Sequence, residues 1–100
     1  MSAVALPYAV FYETVAASQT AQVLGVTGGK GDILANLIIT VTATATSTVT
    51  LLDNSTSYPL VAANTPIGVY MLTFNAQSAS GAWKITTGAG ATVFATGNFT

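Results

Sequence analysis

The run from 37 to 45, Leu-Ile-Ile-Thr-Val-Thr-Ala-Thr-Ala, alternates at period two, and no other feature narrows the possible fold as much. Successive side chains of an extended strand point to opposite faces. Leu37, Ile39, Val41 and Ala43 therefore share one face, and Ile38, Thr40, Thr42 and Thr44 the other. β-Branched side chains at this density suit a pleated, half-buried surface and lower helix propensity. The pattern recurs over 46–52, where Val49 and Leu51 oppose Thr48, Thr50 and Leu52, and the short connection at 45–47 predicts a hairpin between the two strands. Asp53-Asn54-Ser55-Thr56 reads as a turn, because Asp and Asn side chains bond nearby backbone. A short strand over 58–62 carries Pro59, which confines it to a sheet edge or a strand start. After a loop at 64–66, the segment 68–75 reads as a strand facing inward through Tyr70, Leu72 and Phe74. A turn at 78–81 leads to 82–87, with Trp83, Ile85 and Thr87 on one face. Gly88-Ala89-Gly90 predicts a hairpin tip before 91–99, where Val93, Ala95 and Phe99 align. Weaker strands occupy 8–16 and 21–26, and helical periodicity is absent. About seven or eight short strands at this spacing predict an all-β fold, an antiparallel β-sandwich or small barrel.

A chain of 100 residues has room for one core. The expected organisation is an N-terminal arm or first strand over 1–11 and a single sandwich domain over 12–100. No cysteine is present, so no disulfide or thiolate metal site supplements that core. Only 5% of the residues are charged: Glu13, Asp32, Asp53, Lys30 and Lys84. An average domain carries roughly 25%. A net charge of −1 cannot neutralise a phosphate backbone, which argues against a nucleic-acid partner. Thr and Ser supply the polar surface instead, a composition suited to an assembly. The apolar run 33–41 is broken by Asn36 and Thr40 and is too short to span a bilayer as a helix. The first residues lack the Lys or Arg of a secretory signal, and Glu13 stands where an apolar stretch would continue, so synthesis in a cytoplasm without processing is expected.

Catalytic chemistry finds little support. Without His or Cys, a nucleophilic triad cannot be assembled. Gly28-Gly29-Lys30-Gly31-Asp32 superficially resembles a phosphate loop, but Leu24 stands where the first glycine belongs and Gly31 replaces the metal-holding hydroxyl. It reads as a solvated turn between strands. The three carboxylates are about twenty residues apart, with no acidic loop for calcium, so neither cofactor nor metal is expected. The aromatics admit two readings. Trp83 with Tyr8, Tyr12, Tyr58 and Tyr70 could stack on a sugar ring. Alternatively Trp83, on one face with Ile85, fills the core and donates its indole N–H to a backbone carbonyl. The two Asn-X-Ser/Thr sequons, at Asn54 and Asn98, arise easily in a Thr-rich chain and point nowhere.

The segment Ala17-Ser18-Gln19-Thr20-Ala21-Gln22-Val23-Leu24-Gly25, the Gly-Gly-Lys-Gly-Asp turn after it, and the closing run from Ser80-Gly81-Ala82-Trp83 to Asn98-Phe99-Thr100 carry a resemblance. Over roughly 15–100 the chain resembles small, uncharged, β-rich virion proteins of tailed bacteriophages. The resemblance carries no catalytic motif. It implies a capsid decoration (cement) protein at the capsid surface, commonly a trimer, with the major capsid protein as partner. In that setting the arm would lie on a neighbouring subunit or on the shell, anchored by Leu6, Tyr8 and Phe11, and exposed strand edges would act as joints. A glycan-binding sandwich module and a tail or fibre accessory protein are the alternatives.

Overall fold

The computed structural model of the chain describes residues 10–100. Eight strands form in order: β1 (Phe11–Val15), β2 (Gln22–Val23), β3 (Ile33–Val41), β4 (Val49–Asp53), β5 (Thr56–Val61), β6 (Gly68–Gln77), β7 (Trp83–Thr87) and β8 (Ala91–Asn98). They make two four-stranded sheets, ordered β1-β8-β3-β6 and β2-β7-β4-β5, with antiparallel pairing throughout. The fold is thus a β-sandwich, the first of the two predicted architectures. In it β1 lies beside β8, β2 beside β7, β3 beside β6 and β4 beside β5. This is the strand order of an eight-stranded jelly roll. The chain is in effect one long hairpin, its tip at the β4–β5 turn, wrapped into two layers.

The alternation sets which face is buried. Leu37, Ile39 and Val41 of β3, Val49 and Leu51 of β4, Ile85 of β7, and Ala91, Val93 and Ala95 of β8 all point into the core. Tyr70, Leu72 and Phe74 of β6 pack against it from the edge, as their spacing predicts. Trp83 is buried, and its indole N–H donates to the carbonyl of Asp32 at 2.9 Å. Full burial of one such aliphatic or aromatic side chain contributes roughly 1.5–3 kcal/mol. Pro59 does lie on an edge strand, and β5 carries an extra residue between Pro59 and Val61 where its register with β4 shifts.

Two predicted hairpins do not form. β3 is flanked on both sides by β6 and β8, while β4 lies in the other sheet between β5 and β7. The chain through 42–48 therefore crosses between sheets, and so does 88–90, since β7 and β8 also belong to different sheets. The two crossings brace each other: the Thr42 N–H donates to Gly90 O at 2.7 Å, and the Gly88 N–H to Thr48 O at 2.7 Å. A Cβ at Gly88 would land on the Thr46 carbonyl oxygen, so only glycine permits this approach. A further departure from simple alternation lies at Leu34–Asn36, where the β3 register shifts against both neighbours and leaves Leu34 and Ala35 buried in succession. On the β6 side the extra residue sits near Asn75, whose φ of 50° is a conformation Asn tolerates better than most residues.

Candidate interaction surface

Two of the three carboxylates fall at strand ends, Asp32 just before β3 and Asp53 at the close of β4, whereas Glu13 stands at the centre of β1, and each is occupied by its own surroundings. Glu13 on β1 accepts from the Gly25 N–H at 2.7 Å through one oxygen and from Gln22 Nε2 at 2.9 Å through the other, tying β1 to the β2 side. Asp53 at the end of β4 accepts the N–H groups of Ala79 at 2.9 Å and Ser80 at 3.2 Å, holding the 78–82 turn. Asp32 corrects an expectation: Lys30 is exposed, but Asp32 is buried rather than part of a solvated turn. Its carboxylate accepts from the Gly29 N–H at 3.0 Å, the Thr100 N–H at 3.1 Å and the Thr100 hydroxyl at 3.0 Å. Its short side chain reaches backbone donors from a residue far along the chain, a pairing that local sequence does not reveal. Among the described residues, no three His, Cys, Asp or Glu side chains come together in a way that could hold a metal ion.

Of the three anchors expected on the arm, Leu6 and Tyr8 lie outside the described residues. Phe11 opens β1, an edge strand, and is 55% exposed. With Tyr12, Glu13, Gly25, Val26 and Phe99 it lines an open groove of about 350 Å³. Of the aromatic residues expected beside Trp83, Tyr8 lies outside the described residues, and Tyr12, Tyr58 and Tyr70 do not assemble around Trp83, which is buried and faces inward. Tyr70 donates its hydroxyl to Pro66 O at 2.7 Å, and Tyr58, on β5 of the same sheet as Trp83, is exposed and separated from β7 by β4.

The outward face of the β1-β8-β3-β6 sheet is the more telling surface. Register places Thr14, Phe94, Ile38 and Met71 in one row across all four strands. On one side of it runs Tyr12, Thr96, Asn36 and Thr73, and on the other Thr92, Thr40 and Val69. Tyr12 stacks on Phe94, their ring centroids 5.1 Å apart and their planes at 10°. Between the first two rows Asn36, Ile38, Met71, Thr73 and Thr96 border a shallow groove of about 170 Å³. None of these side chains is charged. Val69 and Met71 are 62% and 76% exposed. The outward face of the other sheet differs, since Lys84 stands there between Val23 and Leu52, beside Thr50, Thr86 and Ser57.

Reading β6 as a strand with an inward face already assigns Val69 and Met71 outward. The signal for this surface is that β6 is apolar on both faces from Val69 through Leu72. No family model matches the chain, and no curated protein or solved structure matches it.

Proposed function

We propose that the protein is a virion structural protein of the capsid decoration (cement) type, a homotrimer at the capsid surface that braces neighbouring subunits of the major capsid protein. The observation that carries this reading is the uncharged outward face with its apolar row of Phe94, Ile38 and Met71. Contiguous exposed apolar surface is uncommon on a lone soluble domain and marks contact with a partner. Low charge suits a crowded lattice, where like charges on many copies would repel. Many weak, geometrically repeated contacts then supply the holding strength through multivalency. The jelly-roll order adds support by analogy, because viral capsid domains and lectins both use it. The glycan-binding alternative gains nothing from Trp83, whose ring is enclosed.

Immunogold electron microscopy of phage particles, with antibody against this chain, tests the proposal. Dense label over the heads is the expected result. Label confined to tails would assign the protein to a tail or fibre accessory role, and unlabelled particles would overturn the virion reading. Light scattering of the purified chain checks the three-fold contact, expected as a native mass that is a multiple of three times 10.1 kDa.

A further inference from the structure

We infer that the free edge of β6 is a self-association site, at which a second copy of this chain adds its own β6 antiparallel about a two-fold axis. Among the described residues each sheet presents two edges: β1 and β6 in one, β2 and β5 in the other. An edge strand exposes unpaired backbone N–H and C=O groups, and proteins ordinarily blunt it with prolines, charges, bulges or brevity. β2 has two residues, β5 carries Pro59 and a bulge, and β1 has five residues with Glu13 at its centre. β6 has ten residues without a proline or a charge, and from Gly68 to Thr73 it pairs with β3 in unbroken register. What completes a row of backbone donors and acceptors is another strand, and the chemistry of β6 suits its own copy. Antiparallel pairing of β6 with itself brings no like charges together. It also joins the apolar row Phe94, Ile38, Met71 end to end with the same row of the second copy, so the exposed Met71 side chains meet across the axis. The contact is isologous and closed. The inference goes beyond the decoration reading, since it needs no capsid. Added to a trimer, it gives native masses in even multiples of the chain, two copies alone or six where the three-fold contact also forms.

Hydrogen exchange on the purified full chain, resolved by residue, is the decisive test. In an unpaired edge strand alternate amides face solvent and exchange fast, whereas a strand paired on both sides protects them all. Uniform protection over 68–73 with an even-numbered native mass is expected. A monomer, an odd-numbered assembly, or alternate fast amides in β6 would overturn the inference. A Val69→Lys, Met71→Lys double variant places like charges across the axis at positions already exposed. It should halve the native mass and restore fast exchange at alternate β6 amides, while Ser57→Lys on β5 leaves both unchanged. An undiminished mass in the double variant also overturns it. Failure here leaves the immunogold result untouched, so the two readings fail separately.

Discussion

The two ends of the sandwich solve the same problem by different chemistry. At one end lie the 24–32 and 78–82 loops, the β4–β5 turn and Thr100; at the other lie 16–21, 42–48, 62–67 and 88–90. The first is secured by carboxylates: Asp32 holds Gly29 and Thr100, Asp53 holds Ala79 and Ser80, and Glu13 reaches Gly25. Lys30 and Lys84 also belong to this half, so it contains every charged side chain of the protein. The second end has none. Its loops are fastened by backbone bonds between crossings, by close approach at Gly88, and by Thr87, whose hydroxyl donates to Ala16 O at 2.6 Å and accepts the Gln19 N–H at 3.0 Å. Few charges suffice because each carboxylate serves two or more donors. The remaining surface is left to uncharged polar and apolar side chains.

Substitution can break either half of this contrast. Gly88→Ala should be the most damaging, because the added carbon meets the Thr46 carbonyl and the Thr48 amide, neither of which can yield. A loss of about 4 kcal/mol by urea unfolding is expected, and a loss below about 1 kcal/mol would show that close packing does not hold the uncharged end. Asp32→Ala should cost about 3 kcal/mol, since three hydrogen bonds from Gly29 and Thr100 to a buried carboxylate are lost. Asp53→Ala, which strands two turn amides, should cost about 2 kcal/mol by the same measurement. The smallest effect has the opposite sign. The Ser47 hydroxyl is buried at the uncharged end without a hydrogen-bond partner, so Ser47→Ala should raise stability by about 1 kcal/mol.

Strand positions and buried faces were legible because alternation is a local property. Leu37 with Ile39, Trp83 with Ile85, and Pro59 at an edge all follow from spacing or backbone chemistry. Pairing was not legible in the same way. The short segments at 45–47 and 88–90 can serve a hairpin or a crossing, and the choice depends on β6 and β8 occupying both sides of β3. The break at Leu34-Ala35 leaves a trace in two consecutive apolar residues, but its meaning needs both neighbouring strands. For the candidate surface, the apolar outward positions of β6 were readable, whereas the row that they complete with Phe94 and Ile38 exists only once register is known.

Wrapping a single long hairpin has a consequence for synthesis. The pairs nest around the β4–β5 turn, so the separation between partners grows from a few residues there to most of the described chain for β1 and β8. Ordering proceeds most cheaply from the middle outward, because each inner pair shortens the loop that the next must close. β1 is made before β8 yet can dock only after β8 has left the ribosome, so it waits longest for its partner. Folding dominated by such distant partners falls in the millisecond-to-second range. Until β1 docks, the edge of β8 stands open beside its sister copies on the same polysome, and exchange of first strands between nascent chains competes with correct closure.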